Sequence, residues 1–232
     1  MRGHELPRSS PNVREKTYKV ILVGNTGVGK SALLQRATSG SPVRDGVLPA
    51  TIGVDFKVVP VSTPLGPRGD ALVKLQVWDT AGQERYRSIV PNFFRSTHAV
   101  VFFYDISNRG TFDAIPAWIR TFREARYHLD THVICWLVGS KADLTPGRRE
   151  VTAAQGAALA ESLDMAHFLE VSALLETAAT LEAVLFEPLA AAILEEGMAS
   201  YTMTPGAVSL PMVKGDSVSS PGKGWKRCCA LS

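Results

Sequence analysis

The sequence contains little cysteine and lacks long apolar runs. Only 3 of the 232 residues are cysteines, so we expect neither a disulfide framework nor a cysteine-based zinc site. The longest apolar stretches, residues 99–104 and 133–138, are far shorter than the roughly 20 residues that a transmembrane helix needs. No apolar segment follows the polar N-terminus, so we expect no secretory signal. These absences favour a cytosolic protein in which Cys135 is a small core residue.

The main part of the chain also lacks an excess of positive charge. The formal net charge is +3, and residues 197–232 hold four basic residues and one acidic residue, whereas the 21 basic and 21 acidic residues before them cancel. We therefore expect no nucleic-acid-binding domain, because such a domain carries a basic patch on its folded surface. A basic tail is instead suited to an anionic membrane surface.

Composition divides the chain into three parts. Residues 1–16 are polar and contain two prolines, so we expect a disordered tail there. Residues 17–196 alternate between apolar runs and amphipathic segments, which predicts one globular domain. Residues 197–232 are rich in Gly, Ser, Pro and Met without a period, which is typical of a flexible linker.

Short apolar runs alternate with helical segments within the domain. The predicted strands are residues 18–23, 55–61, 72–78, 100–105, 133–139 and 166–171. The predicted helices are residues 30–38, 111–128, 152–163 and 177–196. This alternation predicts an α/β fold whose mostly parallel sheet is covered on both faces. Such sheets bind ligands at the carboxyl ends of their strands.

Three local signals refine this prediction. Thr152 followed by Gln155 predicts a capping box at the start of a helix. Pro188 lies inside the last predicted helix and should kink or split it. Residues 62–70 contain two prolines and two glycines, which indicates an expanded loop between the two strands of a hairpin.

A phosphate-binding pattern opens the first predicted helix. The pattern G-x-x-x-x-G-K-[ST] is matched by Gly24, Asn25, Thr26, Gly27, Val28, Gly29, Lys30 and Ser31. Its glycines allow successive backbone N–H groups to face a phosphate at a helix N-terminus. Lys30 would reach the β- and γ-phosphates, and the Ser31 hydroxyl would ligate Mg²⁺. A glycine-rich turn that binds nothing is disfavoured, because the strand and helix that the motif requires flank it.

A second chemical signal follows the predicted strand at residues 72–78. Asp79 lies at its end, and Gly82 and Gln83 come shortly after. Aspartate at this position can hold Mg²⁺, glycine allows the backbone to approach a γ-phosphate, and a glutamine amide can orient an attacking water. A polar turn is the alternative for this segment alone. Its occurrence 48 residues after Ser31 favours the nucleotide site.

Further stretches occur in a fixed order around these motifs. Residues 51–56 read Thr-Ile-Gly-Val-Asp-Phe, residues 74–88 include Trp-Asp-Thr-Ala-Gly-Gln-Glu-Arg-Tyr, and residues 104–112 begin Tyr-Asp-Ile-Ser-Asn. Together the motifs resemble the Rab family of Ras-superfamily small GTPases over about residues 17–196. The resemblance implies the P-loop NTPase small G-protein fold, with a mostly parallel six-stranded sheet, one antiparallel strand and helices on both faces.

The resemblance also implies roles for individual residues. Thr51 would be the switch I threonine, and Gly82 and Gln83 would belong to switch II. The catalytic residues would be Lys30, Thr51 and Gln83. The Mg²⁺ ligands would be Ser31, Thr51 and Asp79. Ala32 would join the phosphate loop in binding GTP or GDP, and regulators would dock on Ile52, Gly53, Phe56, Trp78 and Tyr86. Ordinary core or hairpin packing is the alternative for the three aromatic residues.

The base-recognition motif departs from the family pattern. The family has Asn-Lys-x-Asp after the fifth strand, where this chain has Ser140, Lys141 and Asp143. Asp143 can accept hydrogen bonds from guanine N1–H and from the exocyclic amine, a pair that adenine does not offer. Lys141 can lay its methylene stem on the base. Ser140 is too short to copy both the asparagine contact to the base and its brace to the phosphate loop.

A second base motif departs as well. The family has Ser-Ala-Lys, where this chain has Ser172, Ala173 and Leu174. The Ala173 N–H can still meet guanine O6, but Leu174 lacks the polar end of lysine. In addition, no aromatic residue occurs between Ser31 and Asp55, where the family usually packs one on the base edge. The departures together suggest weaker nucleotide affinity and faster release.

Two cysteines close the sequence beside basic residues. Cys228 and Cys229 follow Lys226 and Arg227, and residues 229–232 fit a CaaX box whose terminal Ser favours farnesyl. Paired cysteines in a Rab-like chain instead imply two geranylgeranyl groups, which give stable anchoring where one gives marginal attachment. An unmodified exposed tail is the alternative.

Two functions fit these features. The first is a membrane-anchored GTP hydrolase that works as a switch in vesicle trafficking, on the cytoplasmic face of an intracellular membrane and cycling with the cytosol. The resemblance implies a monomer that is served by an exchange factor, a GTPase-activating protein, effectors, a prenylation escort and a GDP-dissociation inhibitor. The second is a membrane scaffold of the same fold with little hydrolysis, which the altered Ser140 and Leu174 favour.

Overall fold

A computed structural model describes residues 16–40, 51, 54–66, 69–80, 93–127, 132–144 and 146–202. They contain a six-stranded sheet with the order β2-β3-β1-β4-β5-β6. Its strands are β1 (Lys16–Gly24), β2 (Val54–Gly66), β3 (Gly69–Thr80), β4 (Ala99–Asp105), β5 (Ile134–Ser140) and β6 (His167–Val171). Neighbouring strands of the described sheet are parallel, apart from the antiparallel pair β2–β3. The predicted mostly parallel α/β sheet is confirmed.

Helices cover both faces of this sheet. They are α1 (Lys30–Ser39), α2 (Arg109–Asp113), α3 (Ile115–Ala125), α4 (Ala153–Ser162), α5 (Ala178–Leu181) and α6 (Glu187–Thr202). Val20 and Leu22 of β1 join a first core cluster with α1, α5 and α6. Ile21 and Val23 join a second core cluster with α3 and α4. Because successive residues of a strand point to opposite faces of the sheet, β1 is buried on both faces. Cys135 lies buried in the second cluster, as predicted.

The last predicted helix is divided at the position that its proline indicates. A π-helical turn over Glu182–Phe186 separates α5 from α6, and Pro188 is the second residue of α6. Proline has no N–H to donate to the carbonyl of Val184, four residues earlier. The wider turn lies directly before it, with the Glu187 N–H donating to the Glu182 carbonyl. The predicted kink or split corresponds to this π-helical turn, through which the helix continues without a break.

The predicted helix at residues 111–128 is also divided, which the sequence did not predict. Ala114 separates α2 from α3, and Pro116 lies in the first turn of α3. Proline is tolerated there because the first N–H groups of a helix have no partner inside it. Of the described helices, none combines the length and the apolar character needed to cross a membrane.

The β2–β3 hairpin is longer than predicted. Strand pairing continues through most of the expected loop at residues 62–70, after one register shift. The expanded-loop prediction is therefore wrong for that part. Val59, Val61 and Thr63 alternate along β2 and are all buried, and the two valines belong to the first core cluster with α6. Packing of β2 against α6 keeps the strand extended despite its prolines and glycines.

Candidate functional site

The carboxyl ends of the parallel strands gather the predicted motifs at one edge of the sheet. The phosphate loop follows β1, and Asp79 lies at the end of β3. Residues 140–144 lie at the end of β5, and residues 172–176 follow β6. Open α/β sheets bind their ligands at this edge.

Close packing and backbone conformation both require glycine in the phosphate loop. A Cβ atom added to Gly24 would lie 2.3 Å from the Phe103 carbonyl oxygen of β4. Gly29 precedes α1 with φ of +93°, a left-handed conformation that side chains disfavour. The backbone therefore makes a tight turn between β1 and α1. The N-terminus of α1, which favours anions, lies at the end of this turn.

Lys30 lies inside this loop. It is buried, and its Nζ donates to the carbonyl oxygens of Gly24 at 2.8 Å and Asn25 at 3.0 Å. Burial lowers the pKa of Lys30 to about 8, an effect that the nearby Asp79 carboxylate partly offsets. A buried cation held at the first turn of a helix is suited to an anionic ligand such as a phosphate group.

Three oxygen-bearing side chains converge beside Lys30. The Ser31 Oγ donates to the Asp79 Oδ2 and lies 2.9 Å from the Thr51 Oγ1. The Thr51 Oγ1 also donates to the Asp79 Oδ2, at 3.2 Å. Asp79 is buried, and its Oδ1 has no hydrogen-bond partner among the described residues. Oxygen-only donors with an unpartnered carboxylate oxygen fit a hard cation such as Mg²⁺.

Burial also affects the protonation of the Asp79 carboxyl group. It raises the pKa of the Asp79 carboxyl, and Asp55 raises it further. The hydrogen bonds from Ser31 and Thr51 and the charge of Lys30 act in the opposite direction. A divalent cation at this position would favour the ionised carboxylate.

The base end of the site begins at Ser140. Its Oγ lies within hydrogen-bonding distance of the Val28 carbonyl at 2.5 Å and of the Tyr104 carbonyl at 2.8 Å. One hydroxyl carries one proton, so Ser140 donates to one of these oxygens at a time. The side chain is buried and thus braces the phosphate loop, which is one of the two tasks of the asparagine that it replaces.

The other base residues lie close together. Ser172 Oγ donates to the Asp143 Oδ1 at 2.6 Å and accepts the backbone N–H groups of Leu174 and Leu175 at 3.2 and 3.0 Å. These contacts fix the Asp143 carboxylate beside the loop that follows β6. Leu174 is 56% exposed, so its side chain is available at the rim of the site.

The family comparison agrees with this geometry. The model of the Ras family matches residues 19–194. The chain belongs to the Ras family, as a Rab-type small GTPase. It is 43% identical over 149 residues to human Ras-related protein Rab-30, covering 64% of this chain and 68% of that protein. It is 40% identical over 164 residues to human Ras-related protein Rab-37, covering 68% of each. Ras-related protein RAB1BV from Beta vulgaris is 39% identical over 150 residues, covering 65% of each chain.

This Rab-type GTPase is a GTP hydrolase, as members of its family are. Part of its predicted site lies outside the described residues. These residues are Ile52, Gly53, Gly82, Gln83, Tyr86, Cys228 and Cys229. The described residues of the expected partner surface are Phe56 and Trp78, whose rings stack with centroids 5.1 Å apart. Phe56 is 48% exposed, so hairpin packing leaves half of its side chain accessible.

Sequence reasoning missed three residues of the GTPase site. The Asp105 carboxylate forms an ion pair with the Lys141 Nζ at 2.6 Å. The sequence contains a signal for Asp105, because it is a polar residue that ends a buried strand at the ligand-binding edge of the sheet. Glu176 carries a buried Oε2 without a partner among the described residues, and burial and Asp143 raise its carboxyl pKa. Trp118 contacts Asn25 from α3, 93 residues away, and no local pattern predicts that contact.

Proposed function

We propose that this Rab-type GTPase is a membrane-anchored switch that binds GTP or GDP with Mg²⁺ and acts in intracellular vesicle trafficking. In such a switch, GTP orders two loops through its γ-phosphate, partners bind that state, and hydrolysis releases it. The convergence of the Ser31, Thr51 and Asp79 oxygens beside buried Lys30 carries this proposal.

The contacts of the phosphate loop indicate which groups would hold the phosphates. The backbone N–H groups of residues 24–31 and the ammonium of Lys30 would hold the β- and γ-phosphates. Nearby phosphate charge favours the protonated form of Lys30 and would reverse the lowering of its pKa by burial. Binding therefore repays part of the desolvation of that lysine.

Ser31, Thr51 and Asp79 are the residues that would hold Mg²⁺. Bound Mg²⁺ would neutralise charge on the phosphate oxygens. The Asp79 Oδ1 supports this assignment, because a buried carboxylate oxygen without a partner is costly. We assign to Gln83 the orientation of the attacking water, since its amide both donates and accepts hydrogen bonds.

Guanine selection is assigned to Asp143, with Lys141 and the backbone of Ala173 as further contacts. The hydrogen bond from Ser172 to the Asp143 Oδ1 leaves acceptor sites on both carboxylate oxygens, because each oxygen can accept two hydrogen bonds. Both oxygens are therefore suited to guanine N1–H and the exocyclic amine. Leu174 would pack on the base.

The domain at residues 17–196 is proposed to be tied to its membrane by the tail at 197–232, through lipids on Cys228 and Cys229. Residues 1–16 are a separate N-terminal tail. Two lipid chains give stable anchoring, and the basic tail adds attraction to anionic lipids. We further propose that Ile52, Gly53, Phe56, Trp78 and Tyr86 bind effectors and regulators, and that an escort and a dissociation inhibitor carry the monomer between membrane and cytosol.

A scaffold with little hydrolysis is a second candidate. The single hydroxyl of Ser140 and the exposed Leu174 favour it, because both offer fewer polar contacts than the family pattern and would hold the base less tightly.

Single-turnover GTP hydrolysis across a Mg²⁺ titration tests the proposed switch. Asp79→Asn keeps the shape of the side chain and removes its charge. The Mg²⁺ concentration for half-maximal hydrolysis should therefore rise by about 10- to 100-fold, the scale of losses at metal-supporting residues.

Asp113→Asn is the matched control for that experiment. Asp113 is an exposed residue of α2 that pairs with Arg109 on the surface, so this variant should titrate as the wild type does. Identical titrations for the two variants would contradict the role of Asp79. Failure of the wild type to hydrolyse saturating GTP would favour the scaffold.

A further inference from the structure

A tryptophan of α3 contacts the phosphate loop from the protein interior. The Trp118 Nε1 donates to the Asn25 Oδ1 at 2.7 Å. Asn25 is the first residue after β1, so the contact is made where the loop leaves the sheet. Trp118 belongs to α3, whereas Ser31 belongs to α1 and Asp79 to β3.

The indole is held rigidly. Trp118 is 1% exposed and belongs to the second core cluster, together with Ile21 and Val23 of β1. Pro116 lies two residues earlier, in the first turn of α3, where its fixed φ suits the start of a helix. The donor therefore has little freedom to follow the loop if the loop moves.

Asn25 is fixed at two points. Its side chain accepts the indole N–H, and its backbone carbonyl accepts the Lys30 Nζ at 3.0 Å. One residue thus joins α3 to the lysine that faces the phosphates. A loop held in its binding shape before the ligand arrives binds more tightly, because less ordering is left to be done on binding.

We propose that Trp118 is a positioning residue for the nucleotide, acting through its hydrogen bond to Asn25. This inference rests on the proposed nucleotide switch and deepens it. The ligand is a nucleoside diphosphate or triphosphate, and the group that Trp118 positions is the start of the phosphate loop.

Release of a fluorescent GDP analogue from the full-length protein tests the inference. Trp118→Phe keeps an aromatic ring and removes the donor, so release should be about fivefold faster, the factor that one neutral hydrogen bond supplies. Asn25→Ala removes the acceptor and should have a similar effect. The double variant should release no faster than the single variants, because both remove the same bond.

Trp136→Phe is the matched control. Trp136 is a fully buried indole of β5 in the first core cluster, away from the phosphate loop, so this variant should match the wild type in release rate. Equal rates for the Trp118 and Trp136 variants would overturn the inference while leaving the switch intact. Additive effects of Trp118→Phe and Asn25→Ala would also overturn it.

The indole N–H signal in nuclear magnetic resonance spectra supplies a readout that stability does not move. We assign the Trp118 signal by its loss in Trp118→Phe, and we expect it to shift when GDP is removed from the wild type. An unchanged signal would contradict the coupling. A wild-type protein that binds no GDP would contradict both the proposed switch and this inference. GDP binding to the wild type is therefore measured before any variant is compared.

Discussion

The hydroxyl of Ser140 connects the base end of the site to the phosphate loop. It faces the carbonyls of Val28 and Tyr104 with only one proton. An asparagine amide has two N–H donors and an acceptor, so it can brace the loop and contact the base together. The weaker base binding that the sequence suggests would therefore come, at this position, from a shortage of donors and acceptors.

Ser140→Asn should restore the missing contact. We expect GDP release to slow by about fivefold, the factor that one neutral hydrogen bond supplies. Stopped-flow release of a fluorescent GDP analogue measures this change. Ser162→Asn, at the exposed end of α4, is the control and should not alter release. Equal or faster release from Ser140→Asn would show that Ser140 does not limit affinity.

Lys30 gives nucleotide binding a pH dependence. Because burial lowers its pKa to about 8, about half of the nucleotide-free molecules should carry a neutral Lys30 at pH 8. Phosphates favour the charged form, so GDP binding at pH 8 should take up about half a proton, and affinity should fall as the pH rises above 8. Calorimetry in two buffers of different ionisation heat measures the uptake, and equal binding heats in the two would contradict it.

The same shift affects folding stability. A lowered lysine pKa means that the folded, nucleotide-free protein binds fewer protons than the unfolded chain, between pH of about 8 and the ordinary lysine value of 10.5. The contribution of Lys30 to the free energy of unfolding is therefore unfavourable below pH 8 and improves as the pH rises through that window.

At the scale of the element, apolar pattern predicted the strands well. Residues 100–104 and 133–139 are apolar throughout because β4 and β5 are buried on both faces. The capping box of α4 is also confirmed, with the Gln155 N–H donating to the Thr152 Oγ1 at 3.2 Å and the Thr152 N–H donating to the Gln155 Oε1 at 2.9 Å. Both signals are local and need no knowledge of distant contacts.

The extension of β2, which the sequence did not predict, depends on packing between distant parts of the chain. Residues 62–66 look like a loop by composition, yet β2 continues through them beside β3 and packs against α6 near the other end of the chain. The break at Ala114 lies before a proline that a helix tolerates in its first turn. The extension of β2 does not follow from the local sequence, because tertiary contacts override propensity.

The candidate site shows the same division. The spacing of the phosphate loop and of Asp79 was enough to predict that Ser31 and Asp79 meet, and the structure brings them together with Thr51. Asp105 and Trp118 act through partners that lie far away in the chain. Such pairs are set by the order of strands and helices in space, which a single sequence does not display.

At the scale of the whole molecule, the sheet separates two tasks. Its carboxyl edge gathers Asp79 at the end of β3 and the residues that follow β1, β5 and β6 around one candidate nucleotide site. The hairpin β2–β3 forms one side of the sheet, and it presents the half-exposed Phe56 on Trp78, the residue before Asp79. A switch needs both parts in one domain, because the ligand must change a surface that partners recognise.

The proposed nucleotide switch is tested most simply by the nucleotide content of the purified protein, with the rate of nucleotide release measured before and after Mg²⁺ is chelated. The protein should carry bound GDP or GTP, and release should quicken markedly when Mg²⁺ is removed, since Ser31, Thr51 and Asp79 would hold the ion beside the phosphates. An empty protein, or release that is the same with and without Mg²⁺, would contradict it.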